Sequence, residues 1–120
     1  MPGAGLLRTT HQEQTSMLEQ SVVAVLEGIP ELPRELGAHA FQGAATDALE
    51  AKGFKVMREA KILDRGDGRI GKIDMVIDGV LAVELDHSRP RQKSVNKINA
   101  WDGPGLIYCR KTREVLEKKV

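Results

Sequence analysis

The chain has 120 residues, 41% of them hydrophobic and only 3% aromatic, with a formal net charge of +1. That length suits one domain with a small aliphatic core. The near-neutral balance excludes a whole-molecule attraction for polyanions, and the scarcity of rings argues against base stacking on an aromatic platform.

Residues 1–14 are polar, contain glycine and are expected to be loose. Ser16 stands three residues before Glu19, the spacing of a capping box. Leu18, Val22, Val25, Leu26 and Ile29 follow at helical intervals until Gly28 and Pro30 end the run. This first helix reads as an amphipathic addition outside the core unit, packing on it or on a second copy. The chain therefore divides into a tail and accessory helix over 1–32 and an α/β domain over 33–120. Pro33 suits the first turn of a second helix, whose narrow stripe is Leu36, Ala40, Ala44, Ala48 and Leu49, and Gly53 caps its end.

A strand is expected over 54–63, with Phe54, Val56, Ile62 and Leu63 as core candidates, then a turn over 64–68 and a strand over 70–77. Asp78-Gly79 is a two-residue hairpin signal. The strand over 80–86 begins almost wholly apolar and should be central. A polar loop with Pro90 leads to a short helix over 93–101, with Val95 and Ile98 facing inward. A fourth strand over 106–109 carries Cys109, the single cysteine, in an apolar run that suggests a buried, inert thiol. Residues 112–119 read as a closing helix. Helix, three strands, helix and strand together predict an α/β fold around a mixed four-stranded sheet flanked by helices.

The chemistry concentrates on either side of the hairpin, in Lys72-Ile73-Asp74-Met75-Val76-Ile77 and Ala82-Val83-Glu84-Leu85-Asp86. Side chains alternate faces along a strand, so Lys72 shares a face with Asp74, and Glu84 shares one with Asp86. Pairing Ile77 with Val80 puts Asp74 within about one position of Glu84. Two carboxylates at a desolvated strand end repel each other, and a hard divalent cation such as Mg²⁺ relieves both costs. Water retained on such a cation is a nucleophile for a phosphodiester. A carboxylate at a strand end is also an ordinary solvent-facing cap; Glu84, between Val83 and Leu85, fits that reading least. Arg89, Lys93 and Lys97 recur every four residues with Arg91 beside them, either a phosphate-binding stripe or a solvated helix face. Arg110, Lys111 and Arg113 could extend that surface. Trp101 reads as a core or interface anchor.

With those residues in place, the chain resembles the PD-(D/E)xK nuclease superfamily over roughly residues 33–110. Asp74 matches the Asp that opens that family's second core strand, Glu84 matches the Glu of its E-x-K motif, and residues 48–56 resemble its first helix running into its first strand. Two departures stand out. Glu84-Leu85-Asp86 gives E-x-D, as in very-short-patch-repair-like relatives, and Gln42 stands where Holliday-junction-resolvase-like members carry a Glu. The resemblance implies a restriction-endonuclease-like αβββαβ core, with an extra N-terminal helix here. It also implies Mg²⁺-dependent hydrolysis of DNA, Mn²⁺ serving as a substitute. Asp74, Glu84 and the Leu85 carbonyl would be the metal ligands, joined by Asp86 as third ligand or general base. The role of the missing lysine falls first to Lys72 and next to Lys93 or Lys97. His87 is a weaker candidate for general acid. Arg89, Arg91, Lys93, Lys97 and Gln42 would contact nucleic acid. A homodimer in the cytoplasm is expected, with no membrane association and no small-molecule cofactor. The runner-up is a decayed nuclease-fold module that binds nucleic acid or a protein without cleaving.

Overall fold

The structure, a computed structural model, describes residues 11–62, 69 and 71–118, without the side chains of residues 11–16 and 34. The expected N-terminal tail up to residue 10, the Ser16 side of the capping box, Leu63, the turn over 64–68 and Ile70 lie outside the described residues.

Helix α1 (His11–Glu27) turns Val22 and Leu26 fully inward. It packs into the same core as the sheet rather than standing apart from it. After a 3-10 turn at Arg34–Leu36 comes α2 (Gly37–Ala51), which buries Phe41, Ala45 and Leu49 at intervals of four. Gly53, at φ +94°, ends it in a Schellman motif: the Gly53 N–H donates to the Glu50 carbonyl (2.9 Å) and the Phe54 N–H to the Leu49 carbonyl (3.1 Å).

Strands β1 (Val56–Ile62), β2 (Gly71–Ile77) and β3 (Leu81–Asp86) form an antiparallel meander. Helix α3 (Gln92–Ala100) then crosses over to β4 (Gly105–Cys109), which runs parallel to β3. The α/β class and the mixed sheet agree with the sequence reading. The strand count does not, because residues Val115–Glu117 form a fifth strand, β5, antiparallel to β4. The expected closing helix over 112–119 is thus overturned. Lys, Glu and Leu in that stretch favour a helix locally, but β4 is fully buried and its free backbone edge needs partners. Arg113, at φ +61°, turns the chain back, and the Cys109 N–H donates to the Glu114 carbonyl (2.9 Å).

The sheet separates two apolar layers. On one side α1 and α2 cover Met75, Ile77, Leu81, Val83, Leu85, Leu106 and Tyr108. On the other, α3 covers Ile73, Val76, Ala82 and Ile107 through Ile98, with Val95 and Trp101 alongside. Cys109 is fully buried, and burial pushes its thiol up to about 11, in keeping with an inert residue. Among the described residues no helix is long and apolar enough to cross a membrane.

Gly105 sets how closely α3 approaches: a Cβ there would sit 2.8 Å from Ile98 Cγ2 and 3.4 Å from the Ala82 carbonyl oxygen. Gly105→Ala should therefore push the helix outward and cost roughly 1–3 kcal/mol, read as a lower urea midpoint. Glu19 of α1 is buried beside Glu117 of β5, and desolvation together with that like charge raises its carboxyl to about 7. A raised carboxyl favours the folded state fully below its unfolded value, and that contribution is lost as pH rises from about 4.5 through about 7. Glu19→Gln should raise the Tm at pH 8, by an amount corresponding to about 1–3 kcal/mol, and change it little at pH 4.

Candidate functional site

The hairpin sets the register. Asp78 (φ +54°) and Gly79 (φ +70°) form a tight turn closed by the Val80 N–H on the Ile77 carbonyl (3.0 Å), and Asp78 Oδ1 accepts the Lys55 N–H (2.8 Å). Val80 remains outside the ladder, so Ile77 pairs with Leu81, Val76 with Ala82 and Met75 with Val83. The expected Ile77–Val80 pair is off by one residue. The correction matters, because a shift of one exchanges the faces of a strand. Continued by one position, the observed register brings Asp74 opposite Glu84 rather than Val83.

At that point regular pairing stops. The β1–β2 register passes over Glu59 and Asp74, and Glu59 takes φ +56° in mid-strand. Ile73 joins the apolar layer under α3, whereas Met75, two residues on, joins the opposite one, so the facial alternation breaks at Asp74. Side chains supply the hydrogen bonds that neighbouring strands do not. The Asp74 N–H donates to Glu84 Oε2 (2.7 Å), and the Leu85 N–H donates to Asp74 Oδ2 (2.8 Å). From α2, Gln42 Nε2 donates to the Asp74 carbonyl (2.8 Å), while Arg58 Nη2 donates to Gln42 Oε1 (3.3 Å).

Helix α3 contributes the cation. Lys97 is buried, its Nζ lies 2.5 Å from Glu84 Oε1, and it donates to the Lys72 carbonyl (2.9 Å). Glu84 is fully buried, and although the ammonium is in contact, Oε1 receives no aligned hydrogen bond. Burial pushes the Asp74 carboxyl up, against the lowering effects of the Leu85 N–H and of Lys97. Glu84 is raised by burial first and then by the neighbouring Asp74 charge, with Lys97 opposing both.

Asp86, one face-repeat beyond Glu84, is also buried, but its oxygens are engaged. Oδ1 accepts Ser94 Oγ (2.8 Å) and Arg91 Nε (2.9 Å), and Oδ2 accepts the Arg91 N–H (2.9 Å) at the start of α3. Here Asp86 fixes the helix that carries Lys97, and an anion at a helix N-terminus is electrostatically favoured. Lys72 is exposed, and its Nζ lies 3.9 Å from Glu59 Oε2. Of Lys72, Lys93 and Lys97, it is Lys97 that reaches Glu84. The four-residue interval alone could not separate Lys93 from Lys97; the decisive information is that α3 begins at Gln92 and turns Ser94, Lys97 and Ile98 inward.

The expected basic stripe is not one surface. Arg89 and Arg91 precede the helix, Lys93 is exposed on it, and Lys97 is turned inside. Arg110 and Lys111 lie with Phe41 and Tyr108 on the side covered by α1 and α2, and Arg113 Nη1 donates to the Glu27 carbonyl. His87 is exposed on the same cavity as Arg110 and Lys111. Trp101 is half-buried, its Nε1 donating to the Val80 carbonyl (3.1 Å). Among the described residues, no group of three or more His, Cys, Asp or Glu side chains is disposed to hold a metal ion.

Removing one member of a buried charge pair strands the other in an apolar setting. Lys97→Met should cost about 3–5 kcal/mol in urea denaturation, and Lys97→Met with Glu84→Gln should recover much of that loss. A double variant destabilised by the sum of Lys97→Met and Glu84→Gln measured singly would show that the two groups are not energetically coupled.

Comparisons with protein-family models, curated proteins and solved structures yielded no match to this chain.

Proposed function

We propose that the chain is a divalent-cation-dependent nuclease acting on DNA, with Asp74 and Glu84 at its centre and a PD-(D/E)xK-like, restriction-endonuclease-like core. The observation that carries this reading is the convergence of two desolvated carboxylates from β2 and β3 beside the buried ammonium of Lys97. The donor set suits a hard cation. Both carboxyls are pushed up by burial, and Glu84 Oε1 lacks an aligned donor. Asp74, Glu84 and the Leu85 carbonyl would hold Mg²⁺ or Mn²⁺, with oxygen ligands of the kind these ions prefer. When bound, such an ion activates water and offsets negative charge on a phosphodiester.

The remaining work falls to the chain. Lys97, held by the Lys72 carbonyl, takes the role of the displaced family lysine: its Nζ steadies Glu84 and donates a hydrogen bond to the attacking water. Asp86 acts as a positioning residue through Ser94 and Arg91, keeping α3 and therefore Lys97 in place. Gln42 sets the Asp74 main chain from the opposite side. Exposed Arg89, Arg91 and Lys93 supply phosphate contacts at the start of α3, with a salt-dependent affinity. A second copy would enlarge the footprint on a duplex, through a surface other than the stripe of α1 already spent on its own core.

A decayed, binding-only module is the second reading, and one observation favours it: Glu84, Asp86 and one oxygen of Asp74 already have internal partners. Incubation of the purified protein with branched, nicked and single-stranded DNA in Mg²⁺ or Mn²⁺ separates the two. Cleavage should appear, and Glu84→Gln and Asp74→Asn should each reduce it by about 10²-fold or more while circular dichroism stays unchanged. Salt-sensitive binding without cleavage supports the second reading. Cleavage that survives both substitutions places the chemistry elsewhere.

A further inference from the structure

The other side of the sheet holds a cavity. It has a volume of about 260 Å³ and opens beside the C-terminal ends of the parallel strands β3 and β4, with Phe41, Tyr108, His87, Arg110 and Lys111 among its lining residues. Ligands of open α/β sheets gather outside the carboxyl ends of parallel strands. The volume is slightly under the roughly 300–1,000 Å³ of pockets for drug-sized ligands, so it admits one ring with its substituents rather than an extended molecule.

The lining has two chemically distinct parts. Phe41 and Tyr108 stack with centroids 6.2 Å apart and planes 11° from parallel, and Ile29 and Leu32 continue this apolar wall. Phe41 is 5% exposed and Tyr108 1%, so the two rings close the bottom of the cavity and leave an apolar end rather than an open stacking face. The polar part of the lining holds Arg110 and Lys111 with one carboxylate, Glu31, and the His87 imidazole, an excess of positive charge that suits an anion. Their backbones are fixed: the Arg110 N–H donates to the Asp86 carbonyl (3.0 Å) and the Lys111 N–H to the His87 carbonyl (2.8 Å). A guanidinium beside an ammonium is a common arrangement for a phosphate group, Arg supplying paired donors and Lys a point charge.

We propose that this cavity binds a nucleoside monophosphate group, the base in the apolar end beside Leu32 and Ile29 and the phosphate on Arg110 and Lys111. The group is supplied either by a free nucleotide or by the 5′-phosphorylated end of a strand. The proposal does not rest on the nuclease reading, because Glu84 and its partner Lys97 belong to the α3 side of the sheet.

The test is calorimetric titration of the full chain, in chelator and without divalent cations. The probes are thymidine monophosphate, thymidine, inorganic phosphate, and one oligonucleotide with and without a 5′-phosphate. Thymidine monophosphate, the phosphorylated oligonucleotide or both should bind more tightly than thymidine or phosphate alone. Arg110→Ala combined with Lys111→Ala should weaken that binding about tenfold or more. Leu32→Trp, which fills the cavity from a half-buried position, should abolish it, and Asp74→Asn should leave it unchanged. Binding of the free nucleotide alone assigns a mononucleotide, and preference for the phosphorylated over the hydroxyl-ended strand assigns a strand end. Saturable binding by neither, equal affinity for inorganic phosphate alone, or indifference to the Arg110 and Lys111 substitutions in protein with unchanged circular dichroism overturns the proposal.

Discussion

The main chain at Asp74 is held by side chains instead of by neighbouring strands. Its N–H is bonded to Glu84, its carbonyl to Gln42, and its own carboxylate to the Leu85 N–H. A buried backbone polar group without a partner costs about as much as a lost hydrogen bond. The splay of β2 from both neighbours at this residue is therefore stable only because three polar side-chain groups fill the gaps. Left-handed Glu59 across from it releases Asp74 from β1, and the extra residue at Val80 brings Glu84 opposite. Strain of this kind, in a residue with a Cβ, persists only where the surroundings impose it.

That opening creates an electrostatic problem. Two carboxylates share a desolvated space, burial raises both, the Asp74 charge raises Glu84 further, and Lys97 opposes these effects from α3. The helix must lie close to the sheet for a lysine stem to reach, which it does over Gly105, where a larger residue would meet Ile98. Asp86 ties the start of the same helix through Ser94 and Arg91. Backbone approach, helix anchoring and charge compensation are thus one connected constraint. A change at Gly105 or Asp86 acts on Glu84 without touching it.

The two sides of the sheet are chemically unlike. The α3 side joins an apolar layer to the buried Glu84–Lys97 pair and the Asp86 network. The side under α1 and α2 is mostly apolar, with Gln42, Thr46 and Glu19 as its buried polar residues, and carries Arg110 and Lys111 at the strand ends. The parallel pairing of β3 and β4 carries both features, since it aligns the carboxyl end of β3 with the turn that follows β4.

The class of fold was legible in the chain because its signals are local. Helical spacing from Leu18 to Ile29, Gly53 at a helix end and Asp78-Gly79 between two apolar runs each specify their element through nearest neighbours, whereas the face of α2 that is buried, Phe41, Ala45 and Leu49, lies beside the expected stripe of Leu36, Ala40, Ala44 and Ala48. Asp74 and Glu84 were legible too, as charges out of place beside apolar stretches. What the sequence could not decide were matters of one residue or of distant partners. The hairpin offset, which moves Asp74 from Val83 to Glu84, depends on a single unpaired Val80. The fifth strand depends on the buried edge of β4 and overrides a helix-favouring composition. Lys97 is buried and Lys72 exposed because α3 packs closely over Gly105 whereas the Lys72 side chain projects from β2 into solvent. Neither fact is written in the spacing of charges, because burial and pairing are set by contacts between residues far apart along the chain.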